Sequence, residues 1–119
     1  MNLLVDALAR ACPGCRSAET ELPYMWMGDF VRHVAQAHLD GRKAEVQAVF
    51  DRIEVEVANE SSPHRQLAIA GFLEDMQNGN LHPPGSHPAD FLSYLGPKAQ
   101  RAWDGLNGFW GAVEQNSTR

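Results

Sequence analysis

Three sets of residues in this chain could do chemistry. They are a Cys12-Pro13-Gly14-Cys15 motif with His33 and His38 downstream, the histidines His82 and His87, and the glutamates Glu54 and Glu74. A CxxC followed by histidines is the pattern of a redox dithiol or of half a zinc site, since thiolates and imidazoles are the donors zinc takes. His33 and His38 are five positions apart, so on one helix they lie about 140° apart around its axis and cannot easily share an ion. A thioredoxin-like role needs a strand before the motif and a helix after it, whereas here a helical pattern precedes and a polar stretch follows. The motif therefore reads as two thiols at the end of a helix, with no metal and no cofactor.

His82 and His87 flank a proline-rich stretch, where they would serve as acid and base or as metal ligands; standing alone on a loop, they read as polar loop groups. Glu54 and Glu74 invite a paired-carboxylate site between adjacent helices, but the Glu-x-x-His partners of a diiron centre are absent. Glu74 reads instead as a structural acid, because a buried carboxylate without donors is costly. None of these patterns states a reaction, so the expectation is a protein without catalytic chemistry.

The elements that must position these residues are helical throughout. The organising stretch is 67–78, LAIAGFLEDMQN, in which seven consecutive residues carry neither charge nor amide. A helix there is apolar at nearly every angle, which suits an element packed on several sides. The expected fold is all-α, a compact bundle of five to six helices around a central buried helix at about 63–77, forming one domain over 1–119. Leu4, Ala7, Leu8 and Ala11 place a first helix over 2–11, with Asn2 as N-cap and Pro13-Gly14 as its stop. Residues 16–21 read as turn. A second helix begins at Pro23, carries Met27, Phe30, Val31, Val34, Ala37 and His38 on one broad face, and ends at Gly41.

A third helix over 42–59 has the stripe Val46, Val49, Phe50, Ile53 and Val57, with Glu54 and Glu56 on its margins, where they reach solvent or a cation. Ser61-Ser62-Pro63 reads as an N-cap and first turn for the central helix, and Asn78-Gly79 as its end. The segment 78–88 holds three prolines and two glycines and reads as a long loop without regular structure. A short helix follows over 89–95. Gly96-Pro97 opens the last helix, which buries Ala99, Ala102, Trp103, Leu106, Trp110 and Val113, leaves Phe109 at the margin, and gives way to a fraying tail from Gln115. Gly105, Gly108 and Gly111 fall on its other side, where each costs about 1 kcal/mol relative to alanine. Either another backbone approaches that face closely or the helix is weak.

At 119 residues, 44% hydrophobic and 21% charged, the chain is long enough for one core without disulfide or metal staples. A formal charge of −5 with ten scattered Lys and Arg argues against a nucleic-acid footprint and for a basic partner. No apolar run approaches membrane length, and the N-terminus lacks the basic segment of a signal peptide, so a cytoplasmic location is expected.

The order of features resembles a family of small uncharacterised bacterial proteins known as a domain of unknown function. The matching residues are Gly28-Asp29-Phe30, Phe50-Asp51-Arg52-Ile53-Glu54, Gly71-Phe72-Leu73-Glu74-Asp75-Met76-Gln77-Asn78, Leu95-Gly96-Pro97, and Trp103 to Trp110. The resemblance covers residues 23–110 and leaves Cys12 and Cys15 outside. It implies proteins of the kind encoded beside polymorphic toxins, and so an immunity protein that binds a basic toxin domain and occludes it. On that reading the partner-binding surface is drawn from Asp51, Glu54, Glu56 and Asp75 with His82 and His87 of the loop, and the second surface is Gly105, Gly108 and Gly111. The alternatives are a small metal-binding or carboxylate-based enzyme and a self-associating helical adaptor.

Overall fold

The computed structural model describes residues 3–15 and 22–117, with side chains as far as residue 108. The fold is an all-α bundle. Helix α1 spans Leu3–Ala11, α2 Pro23–Leu39 and α3 Lys43–Ala58. The central helix α4 is a π-helical run, Leu67–Leu73, that continues as α-helix through Glu74–Met76. Two 3-10 turns, Gly79–Leu81 and Pro88–Tyr94, lead to α5, Pro97–Ser117. The radius of gyration is 13.9 Å, close to the value of about 13.5 Å for a packed chain of this length.

The central helix packs against α2, α3 and α5, as its uncharged run requires. Leu67, Ala68, Gly71, Phe72, Leu73 and Met76 are buried, and the remaining positions Ile69, Ala70, Glu74 and Asp75 are half-buried, so none of the helix is fully exposed. Its backbone departs from a plain α-helix. The Glu74 N–H reaches the Ile69 carbonyl, an i→i+5 bond that makes the ring wider than an α turn. Gly71 sits inside this run because there is no room for more: a Cβ there would lie 3.0 Å from Leu67 Cδ1, 3.5 Å from Met27 Cγ and 3.6 Å from Tyr24 Cδ1. The missing side chain lets α2 approach α4 closely.

Phe50 is the hub of the core. From the stripe of α3 its ring meets Phe72 of α4 edge-on at 5.2 Å, and stacks with Tyr94 at 5.4 Å and Phe91 at 6.1 Å in the second 3-10 turn. Such pairs add about 0.5–1.5 kcal/mol each beyond area burial, so one α3 side chain ties three elements together.

The expected helices are present with small shifts at their ends. Gly41, at φ +85°, terminates α2 in a conformation that a side chain would strain. The central helix starts later than Pro63, becoming helical at Arg65, because Ser62 is occupied in a turn: its Oγ accepts from the His64 N–H at 3.1 Å. The segment 78–88 is more ordered than its prolines imply, since Asn78 Oδ1 accepts from the Asn80 N–H and sets the first 3-10 turn. The short helix at 89–95 is the 3-10 turn Pro88–Tyr94. Helix α5 runs through Ser117, past the Gln115 at which fraying was expected. The Asn2 cap and the turn at 16–21 lie outside the described residues, as do the side chains of Phe109, Trp110, Gly111 and Val113.

Candidate functional site

The acidic surface expected from sequence does not assemble. Glu54 is committed to α5: its Oε1 accepts from the Ala99 N–H at 2.8 Å and its Oε2 from the Lys98 N–H at 3.1 Å. It thereby satisfies two of the donors that a helix N-terminus leaves open, and places a negative charge at the positive end of the helix. Glu56 is not a surface acid either. It is buried, with only 6% of its surface exposed, and it accepts from Arg52 Nη2 at 2.6 Å and from the Ser62 hydroxyl. Helix geometry explains the split, since residues 51 and 56 diverge by about 140°. Asp51 remains exposed, bound at 2.9 Å by Gln47 Nε2.

The histidines are likewise engaged within the fold. His82 Nε2 lies 2.7 Å from the Met76 carbonyl, an acceptor only, so Nε2 carries the proton; Nδ1 then accepts from the Ser86 hydroxyl at 2.7 Å. A hydroxyl, an imidazole and an orienting carbonyl in line are the parts of a nucleophile dyad, but Ser86 is buried at 5% exposure. The arrangement latches the proline-rich loop to the end of α4. His87 is exposed and caps the second 3-10 turn, its N–H donating to Asp90 Oδ2 at 2.9 Å.

His33 and His38 do turn apart. His33 Nε2 donates to the Pro13 carbonyl at 3.0 Å, whereas His38 Nδ1 lies 2.7 Å from the Tyr94 hydroxyl. The Pro13 carbonyl also accepts from Arg42 Nη2 at 2.9 Å, so the CPGC turn is pinned from α2 and from the start of α3. Cys12 is fully buried, and burial pushes its thiol up from the usual 9.0 although Arg42 opposes the shift. Among the described residues, no group of three or more His, Cys, Asp and Glu is placed to hold a metal ion.

What remains open is the seam between α2 and α4. Tyr24 rests its ring edge against Gly71, and one turn further along Gly28 lies beside Asp75, a Cβ there falling 3.9 Å from Asp75 Oδ2. The Asp75 carboxylate has no hydrogen-bond or ion-pair partner among the described residues. Burial, with the charge of Glu74 as a smaller contribution, raises its pKa from 3.8 to about 6. On α2, Met25 is 70% exposed and Tyr24, one turn before Gly28, 48% exposed, and Asp29 lies one turn beyond Met25. A poorly solvated acid on α4, facing a helix that also exposes a thioether and an aromatic ring, is a group that a cation would satisfy. Of the expected binding acids, only Asp75 belongs to it. The signal in the sequence was the dense group Tyr24-Met25-Trp26-Met27, in which Trp26 and Met27 are buried and the other two are not.

On the glycine face of α5, Gly105 and Gly108 have no close neighbour among the described residues. A Cβ at either would meet nothing within 4 Å there, so no described element approaches these two positions closely. No helix among the described residues is long and apolar enough to cross a membrane.

The chain belongs to the family described as Domain of unknown function (DUF7674), whose model matches residues 5–111. The match begins in α1 and so takes in Cys12 and Cys15, which the resemblance over 23–110 had left out. No curated protein and no solved structure matches the chain.

Proposed function

We propose that this protein works by binding another protein through the α2–α4 seam, and that its partner is a basic toxin domain which it neutralises in the cytoplasm as an immunity protein. The observation that carries the reading is Asp75, a half-buried carboxylate without a partner among the described residues, beside Gly28 on a helix that exposes Tyr24 and Met25. An acid held out of water at the edge of an apolar patch gains most when a Lys or Arg arrives, because the cation replaces solvation already lost. The formal charge of −5 supports the same choice of partner, since it draws a basic surface in and raises the association rate. Met and Tyr are residue types enriched in the contact regions of interfaces. No chemistry is required, because occupying the toxin's surface is enough to block it.

The test is protection. Cells producing the C-terminal cassette of a neighbouring secreted toxin would be grown with this protein and with its Asp75→Lys and Met25→Glu variants. Rescue by the parent chain and loss of rescue by both folded variants are expected. Full rescue by both variants would remove the seam as the interface, and absence of rescue by the parent would remove the toxin as the partner. Light scattering of the isolated chain separates this reading from self-association, in which the seam would be covered by a second copy.

A further inference from the structure

A cleft of about 320 Å³ opens between the end of α3 and the first turns of α5, and gathers Arg65, Lys98 and Arg101 around it with Glu60 as the acid among its lining residues. We propose that this cleft binds a small phosphate monoester, the phosphoryl group among the three cations and the organic part against Val57 and Ala102.

Charge is the first support. The chain has ten Lys and Arg and a net charge of −5, yet three of those cations meet here against one carboxylate. Arg65 is 33 positions before Lys98 in sequence, and only the packing of the helices brings it to the pair Lys98 and Arg101 on α5. None of the three makes an ion pair among the described residues, so each is available to an incoming anion.

Orientation is the second. Arg65 Nε donates to the Val57 carbonyl at 3.0 Å, which fixes the guanidinium against the last turn of α3. Its two terminal nitrogens are left without a protein partner, the fork that suits phosphate oxygens. Lys98 and Arg101 are three apart on α5 and share a face. Donors converging from two elements suit the three oxygens of a phosphoryl group better than the two of a carboxylate. The backbone N–H groups of Lys98 and Ala99 are already bound to Glu54, so recognition rests on side chains and not on the helix terminus.

Size is the third. Ligand pockets run from about 300 to 1,000 Å³, so this cleft holds a phosphoryl group with a small substituent and excludes a dinucleotide. Val57, buried at 4% exposure, and Ala102 give that substituent an apolar wall.

The experiment is an amide NMR titration of the whole chain with phenyl phosphate, inorganic phosphate and, as a matched anion, acetate. Phenyl phosphate should give saturable shifts at residues 65, 98, 101 and 102, inorganic phosphate weaker ones, and acetate none beyond ionic strength. Arg101→Gln, which breaks no internal bond, should weaken phenyl phosphate binding about 10- to 100-fold, and Arg65→Gln similarly. Glu60→Gln should tighten it. Shifts that do not saturate and match those from acetate would overturn the proposal, as would unchanged binding in Arg101→Gln. Equal affinity for inorganic phosphate and phenyl phosphate would overturn the part assigned to Val57 and Ala102.

Discussion

Glu54 and Gly96 occupy each other's space: a Cβ on Gly96 would fall 2.6 Å from the Glu54 carboxyl carbon and 2.8 Å from its Cγ. The acid of α3 can cap α5 only because the residue before Pro97 has no side chain. Two short motifs 42 positions apart are thus one structural unit.

This gives a double-mutant cycle with a defined sign. Glu54→Ala should cost about 1–3 kcal/mol through loss of two charge-assisted bonds at the α5 N-terminus. Gly96→Ala should be destabilising alone, by steric displacement of the Glu54 side chain. Gly96 has no positive φ, so in the Glu54→Ala background Gly96→Ala should be neutral or stabilising by up to about 1 kcal/mol. Urea unfolding of the four chains measures the coupling, and strict additivity would refute the linkage.

Leu73 is fully buried in the central helix, and Leu73→Ala should lower stability by about 2–5 kcal/mol. A change below about 1 kcal/mol, typical of surface sites, would contradict its place in the core.

The raised pKa of Asp75 has a direction that can be checked. An acid titrating near 3.8 unfolded and at about 6 folded keeps its proton longer in the native state. Stability should therefore fall as pH rises from about 4 to 6, and then stay level as far as this group is concerned. The group is half exposed, so the effect is on the order of 1 kcal/mol after solvent screening. Asp75→Asn should be the more stable protein at pH 7, and its profile between pH 4 and 6 should be flatter.

The two thiols should differ in reactivity. Cys12 is fully buried with a raised pKa, whereas Cys15 is half-buried. Alkylation of the native protein near neutral pH should modify Cys15 well before Cys12, with both reacting together in denaturant. Mass spectrometry after proteolysis assigns the order.

Among the described residues, nothing lies within 4 Å of a Cβ built at Gly105 or Gly108. Replacing each by alanine should stabilise α5 by about 0.5–1 kcal/mol, the helix-propensity difference, with no steric cost. Loss of stability would mean that another backbone does approach this face.

Most of the architecture was legible because apolar periodicity records which face of a helix is dry. The stripe Val46-Val49-Phe50-Ile53-Val57 is buried as read, and the uncharged run 67–73 is central for the reason that made it conspicuous. The π-helical backbone of that run was not legible, since i→i+5 and i→i+4 bonding use the same apolar residues. Glu54 and Glu56 are engaged within the fold because a carboxylate on the margin of a stripe has two fates. Glu54 meets a helix terminus more than 40 positions away, which spacing does not show, whereas Glu56 meets Arg52 at i,i+4, a readable spacing, and the bond from Ser62 then draws it inward. The meeting of Arg65 with Lys98 and Arg101 is tertiary, and residue counts had registered these cations only as scattered.

The π-helical run Leu67–Leu73 also sets where the chain can change length. A wide i→i+5 ring holds one residue more than an α ring while keeping the segments on either side in place. Deleting Ala70 would let the ring close to α geometry with Glu74–Met76 where they are, Asp75 still beside Gly28 and the Met76 carbonyl still facing His82. The same deletion inside α3 would turn everything beyond it by about 100° and carry Glu54 off the start of α5. The most deeply packed helix of the fold is therefore also the one that can lose a residue without losing its register.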